Sequence, residues 1–188
     1  GEILEVLSAT KTAVRNTYGQ SDTVTYIVSI VNSGTTPITG ISVTDNLGEY
    51  TFGTTTLVPL TYIDGTVKYY VNGVLQPSAV VTAGPPLVVS GITVPAGGNV
   101  TVAYEAAVNE FAPLDTTSVI NNTAIVAGTG ITPITAEEEI TVESTPVLTI
   151  TKSVSPVPVT ENGTLTYTFL IQNSGNVAAD ASTGVVVT

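Results

Sequence analysis

The 188-residue chain contains no cysteine, histidine, methionine or tryptophan. Without Cys and His there is no Cys/His zinc site, thiol nucleophile, His-based triad, haem ligation or disulfide. Basic residues are scarce: Lys plus Arg total 4 against 15 Asp plus Glu, a net charge of −11. Nucleic acid and anionic lipid are therefore not expected partners, because both are captured by clustered cations. No apolar run approaches the ~20 residues of a membrane span. No signal-peptide pattern opens the chain, so Gly1 is expected to be a mature end or an artificial start. Charged residues make up 10% of the chain, against roughly a quarter in an ordinary soluble domain. Hydrophobic residues at 43% still suffice for a core, so the chain is not a disordered tail. A carboxylate-only metal site and paired-carboxylate acid chemistry survive these exclusions.

What is present is Thr, Val, Ser, Gly and Asn in short alternating runs. Val24, Tyr26, Val28 and Ile30 alternate with Thr23, Thr25, Ile27 and Ser29; Val100, Val102, Tyr104, Ala106 and Val108 alternate with Thr101, Ala103, Glu105 and Ala107. Period two with β-branched and aromatic filling predicts half-buried strands of antiparallel sheets. Asn72-Gly73 between Val71 and Val74 predicts a two-residue hairpin turn. Strands are expected near 3–14, 22–32, 39–45, 56–62, 67–71, 74–76, 87–94, 99–109, 118–127 and 134–143, with no helical stretch. The fold class is all-β, an immunoglobulin-like β-sandwich.

The chain also repeats itself. At an offset of 141 residues Val6-Leu7 falls on Val147-Leu148, Thr10-Lys11 on Thr151-Lys152, Thr25-Tyr26 on Thr166-Tyr167, and Asn32-Ser33-Gly34 on Asn173-Ser174-Gly175. After a short insertion, the run from Gly40 to Thr44 matches that from Gly184 to Thr188. Residues 1–145 are thus expected to be a complete repeat unit and 146–188 the first strands of a truncated second unit. Ser144 to Pro146 form the junction. A truncated unit leaves strand edges and an apolar face to be covered by other sequence or another chain.

The run Leu148 to Pro156, Gly163, Leu165 to Thr168 and Asn173 to Asn176, with Val43-Thr44-Asp45 and Asn122-Thr123-Ala124 in the first unit, resembles the bacterial and archaeal surface-protein repeat known as domain of unknown function eleven. The resemblance covers both units and implies tandem β-sandwich modules in long extracellular or wall-attached proteins. The first unit departs from it in lacking Ser-Pro after its Lys and a Pro shortly after Asp45.

Alternation also gives polar residues a direction. Leu7, Ala9, Lys11 and Ala13 share one face of the first strand, and Leu148, Ile150, Lys152 and Val154 repeat the pattern, so both lysines lie on the apolar side. Asp45 follows Ile41 and Val43 inward. Asn122 is in phase with Ile120, Ala124 and Val126; Asn121 is ambiguous. A lone ammonium in a core costs several kcal/mol, relieved by a depressed pKa or a paired carboxylate. A third relief is covalent: a neutral Lys amine attacks an Asn carbonyl, expels ammonia and leaves an uncharged amide, with a buried protonated carboxyl shuttling protons. Lys in the first strand, Asp in an early strand and Asn in a late one resembles the Lys–Asn isopeptide domains of Gram-positive adhesins and pilins. That resemblance assigns Lys11 as nucleophile, Asp45 as acid/base and Asn122 as electrophile, with Asn121 as alternate. Lys152 is the second-unit equivalent, its partners lying beyond Thr188. The competing reading has Lys11 snorkelling from the sheet end, Asp45 capping a turn and Asn122 bonding backbone.

Other candidates are weaker. Glu137, Glu138 and Glu139 read as a solvated acidic face. Asp45, Glu49 and Asp64 lack calcium-loop spacing, so no metal is expected. Asn99-Val100-Thr101 and Asn162-Gly163-Thr164 match the short glycosylation sequon. Tyr62, Tyr69 and Tyr70 offer a sugar-stacking platform or simple strand packing. Lys68 is the only Lys outside the repeat motif. The expected function is a stalk or spacer module of a secreted or cell-wall-attached bacterial protein, extracellular or at the cell surface, needing no cofactor and partnered by neighbouring repeat units. It is not an enzyme beyond single-turnover self-cross-linking. The alternative is an adhesin that binds glycan or host matrix protein through the loops of residues 46–98.

Overall fold

The computed structural model describes residues 6–144, 148–154, 167–173 and 175–177. The chain divides into two compact units, Gly1–Val142 and Glu143–Thr188. In the first, the strands are β1 (Leu7–Ala13), β2 (Thr17–Tyr18), β3 (Thr23–Asn32), β4 (Ile38–Asp45), β5 (Tyr50–Phe52), β6 (Thr55–Leu57), β7 (Leu60–Tyr62), β8 (Lys68–Val71), β9 (Val74–Leu75), β10 (Val80–Thr82), β11 (Leu87–Val94), β12 (Asn99–Val108), β13 (Val119–Ala127) and β14 (Ile134–Val142). No helix occurs among the described residues. One sheet runs β1-β3-β12-β8-β9, with β7 on the far half of β12; the other runs β10-β11-β4-β13-β14-β2. The two close over one apolar core, an immunoglobulin-like sandwich.

Alternation builds that core. Val24, Tyr26, Val28 and Ile30 of β3 face Val100, Val102, Tyr104 and Ala106 of β12 in the same buried layer, and Ile41, Val43, Ile120, Ala124 and Val126 line the opposite sheet. The first strand serves both layers. β1 pairs antiparallel with β3 in one sheet, and beyond Arg15 the chain crosses so that β2 pairs parallel with β14 in the other.

The Asn32-Ser33-Gly34 motif has a structural account. Asn32 is fully buried; its Nδ2 donates to the carbonyls of Thr36 at 2.9 Å and Val94 at 3.2 Å, and its Oδ1 accepts the Gly34 N–H at 2.9 Å. A Cβ on Gly34 would stand 2.9 Å from Val6 Cγ2, so the turn has room only for glycine.

Asn72 and Gly73 adopt φ of 47° and 80°, both left-handed, the geometry of a tight hairpin turn between β8 and β9. Elsewhere the insert departs from expectation. The strand expected over 56–62 is split into β6 and β7 by Val58-Pro59, because proline has no N–H for a ladder. The freed carbonyls are taken up by Asn109: its side chain bonds Val58 O at 2.9 Å and its N–H bonds Pro59 O at 2.9 Å. β5, β10 and the two-residue β2 are too short to carry a readable alternation, whereas β11 spans the expected 87–94.

In the second unit β15 (Leu148–Val154) and β16 (Tyr167–Asn173) pair antiparallel. Leu148 opposes Asn173 and Lys152 opposes Phe169, the register in which Leu7 opposes Asn32 and Lys11 opposes Val28. The repeat is therefore a repeat of backbone pairing as well as of sequence. Ser155-Pro156, the Asn162 sequon, Gly163 and the run 184–188 lie outside the described residues.

Candidate functional site

Lys11 sits in the middle of β1, and its side chain is fully shielded from solvent. It does not snorkel. Its Nζ lies 4.7 Å from the ring centre of Tyr26 and 5.4 Å from that of Tyr104, two rings directly opposed in register on β3 and β12. These aromatic faces give a cation or an amine an electron-rich lining. The Nζ donates to the Tyr104 hydroxyl at 2.7 Å and to Asp45 Oδ2, and the Tyr104 hydroxyl donates to the same Oδ2. Lys11, Tyr104 and Asp45 form a closed triangle.

Asp45 comes from the opposite sheet. It ends β4, a central strand, between Leu87 of β11 and Ala124 of β13. The turn that follows holds its carboxyl still. Oδ1 accepts the Leu47 N–H at 2.7 Å, leaving Oδ2 for the amine. Asn46 Oδ1 accepts both the Gly48 N–H at 2.9 Å and the Thr123 N–H at 3.0 Å, lashing the turn to β13 beside Asn122. Gly48 takes φ +78°, and a Cβ there would stand 2.6 Å from Ile120 Cγ2. Asp45 thus caps a turn, as the competing reading expected, while its second oxygen faces the core.

Asn122 on β13 is fully buried. Neither its Nδ2 nor its Oδ1 meets a hydrogen-bond partner among the described residues, and the same is true of the Tyr26 hydroxyl. The amide nevertheless lies close enough to Tyr26 and Asp45 to act on the acidity of both. Asn121, the alternate electrophile, points to solvent on the other face of β13. The one-residue phase difference removes it from the core, which corrects that alternative.

Electrostatics follow from burial. Desolvation pulls the Lys11 pKa down, opposed by the attraction and hydrogen bond of Asp45 and by the field of half-buried Glu138. Desolvation pushes the Asp45 carboxyl up, opposed by Lys11, the Leu47 N–H and Asn122. Burial also raises Tyr26, with Asn122 pulling the other way. For Lys11 and Asp45 both net shifts favour an uncharged amine beside an uncharged acid. An amine, a carboxyl and an amide side chain are thus all buried in the same core.

Tyr26 and Tyr104 were not legible as site residues, since each occupies an inward alternation slot like any core aromatic. Their signal was chemical: a hydroxyl in a core layer needs a partner. Among the weaker candidates, Tyr62 belongs to the core, the Tyr69 hydroxyl contacts Thr93 backbone, and Lys68 is exposed. Glu137 and Glu139 face solvent. The side chain of Lys152 lies outside the described residues.

Comparison with protein-family models and with curated proteins finds no match. Solved structures do match in fold. A variant of BcpA, the major pilin subunit of Bacillus cereus, superposes with a TM-score of 0.54 at 11% identity, covering 91% of this chain and 56% of that one. The N-terminal domain of the Streptococcus gordonii adhesin Sgo0707 gives 0.52 at 11% identity over 72% of this chain and 32% of that one. The pilus backbone protein RrgB of Streptococcus pneumoniae gives 0.50 at 15% identity over 64% of this chain. This chain spans only 31% of that RrgB structure. What is shared with these pilins and adhesins, at such identities, is the immunoglobulin-like sandwich.

Proposed function

We propose that the chain is a structural stalk or spacer module of a surface protein, locked by an autocatalytic isopeptide bond between Lys11 and Asn122. Residues 1–145 act as one whole repeat and 146–188 as the start of the next. The observation that carries this reading is the orphaned Asn122 amide, buried near the carboxyl of Asp45, which itself pairs with the Lys11 amine. As an ordinary core residue it leaves both polar atoms unsatisfied, at about 1–3 kcal/mol each. As an electrophile it has a role. The neutral Nζ attacks Asn122 Cγ, Asp45 protonates the departing Nδ2 and receives the proton released by Nζ, and ammonia leaves. One C–N bond forms, one breaks, and Asp45 ends as it began.

The bond would join β1 of one sheet to β13 of the other. It closes a loop of roughly 110 residues, worth about 4–5 kcal/mol on the entropy model used for disulfides. For a stalk the mechanical consequence is larger, since tension reaching β1 passes to β13 without opening the sandwich. The pilin and adhesin folds that superpose on this chain favour a surface location. Intact mass spectrometry tests the bond. The expected mass is that of the sequence less one ammonia, with a branched Lys11–Asn122 peptide after digestion; a chain at full sequence mass overturns the reading.

A second reading, binding of glycan or host matrix protein by the insert of residues 46–98, draws on one observation. Phe52, Val74, Leu75 and Val80 are each more than half exposed there. A glycan array and a matrix-protein screen test it, and silence in both rejects it.

A further inference from the structure

We propose that the Tyr104 hydroxyl is a catalytic proton relay between Lys11 and Asp45, an inference that rests on the cross-linking reading above. Tyr104 Oη touches the reacting nitrogen at 2.7 Å and donates to Asp45 Oδ2. It is the one side chain among the described residues that hydrogen-bonds both the amine and its acid.

The geometry explains why a relay is useful. To attack, Nζ must turn its lone pair toward Asn122 Cγ, and the proton it sheds must leave by another direction. Asp45 Oδ1 is committed to the Leu47 N–H, so Oδ2 alone receives protons. Asp45 first gives its Oδ2 proton to the departing Nδ2; the Tyr104 hydroxyl then takes the proton from Nζ as it passes its own to the vacated Oδ2. The tyrosine is unchanged, the amine is one proton poorer, and the carboxyl has its proton back. No outside acid, base or oxidant enters the step. The ring itself is held by its cross-strand partner: Tyr104 and Tyr26 stack with centroids 6.1 Å apart and planes 27° from parallel. The hydroxyl is thereby fixed at the height of Nζ, with no water needed in the relay.

The sequence context is consistent. Val100, Val102, Ala106 and Val108 fill the other inward slots of β12. A tyrosine at the slot facing Lys11 puts a hydroxyl in an aliphatic layer, where it is costly unless bonded.

The experiment follows ammonia loss with time in the full chain. Protein from a short cell-free translation pulse is diluted into buffers across a pH series, stopped with acid and read by intact mass. Tyr104→Phe keeps the ring and removes the relay; the expected result is a slowing of roughly tenfold or more and a changed pH–rate profile, with circular dichroism unaltered. Equal rates and profiles in Tyr104→Phe and wild type overturn the relay and leave the cross-link standing. A wild-type chain that never loses ammonia overturns both. Should Tyr104→Phe fail to fold, fluorotyrosine placed at position 104 decides: its more acidic phenol should change the rate and its pH profile, and an unchanged rate and profile reject the relay.

Discussion

Two asparagines are completely buried in the first unit, and they differ in every other respect. Asn32 ends β3 and uses both ends of its amide, with two bonds from Nδ2 and one to Oδ1. Asn122, in the middle of β13, uses neither. Around Asn32 the neighbours are backbone carbonyls and a glycine turn; around Asn122 they include the Asp45 carboxyl and the Tyr26 phenol. The first arrangement is finished structure, since every polar group has found a partner. The second leaves both polar atoms of a buried amide without a hydrogen bond among the described residues. Burial of a polar residue is therefore ambiguous by itself, and the state of its hydrogen bonds resolves it.

Substitution separates the two. Asn122→Ala should abolish ammonia loss and lower stability by about 4–5 kcal/mol as the loop constraint disappears, read by mass and by the denaturation midpoint. Asn32→Ala should cost about 1–3 kcal/mol through its orphaned turn groups, yet still lose ammonia. If Asn32→Ala stops the reaction as well, the separation between structure and chemistry fails.

Gly48→Ala attacks the site through its support. With φ at +78° and Ile120 Cγ2 in the way, it should destabilise by about 1–3 kcal/mol and slow cross-linking by displacing Asp45, both measurable on the same samples.

The pH dependence gives a finer contrast. In the Asn122→Ala chain Lys11 remains an amine whose folded pKa lies below 10.5. The unfolded chain then binds more protons, so stability rises as pH climbs from the folded value toward 10.5. The cross-linked wild type has no titrating amine there and should lack that rise. Asp45, raised above 3.8 by burial, acts in the opposite sense: its contribution is complete below 3.8 and is lost as pH rises through its folded value. Urea midpoints of both chains across pH, taken as differences, read the Lys11 contribution alone.

The smallest effect belongs to Asn121→Ala. Its side chain faces solvent one residue from the site, so stability should move by less than ~0.5 kcal/mol and ammonia loss should be complete. A loss of cross-linking in this variant would return Asn121 to the site.

Legibility followed strand length. β1, β3, β4, β12 and β13 each carry enough inward and outward positions to declare a face, and that phase made the burial of Lys11, Asp45 and Asn122 legible. In the insert between β4 and β11 the hairpin of β8 and β9 was legible from Asn72-Gly73, but β5 and β10 were not, because they are three residues long and side chains such as Phe52 and Val80 lie outside the core. Pro59 then cut one expected strand in two. Tyr26 and Tyr104 were visible as core residues and invisible as chemistry, because alternation says which way a side chain points and nothing about what its hydroxyl meets.

The amino-acid sequence determined the class of fold, the inward direction of one lysine, one aspartate and one asparagine, and the repeat that begins again at Leu148, since period and offset are properties of a single strand or a single alignment. Only the tertiary structure decided that Lys11 and Asp45 pair across the two sheets, that Asn122 rather than Asn121 is enclosed, and that Tyr104 bridges amine and acid. Those outcomes depend on how two sheets stack and twist against each other, and stacking joins residues whose separation along the chain carries no periodic signal.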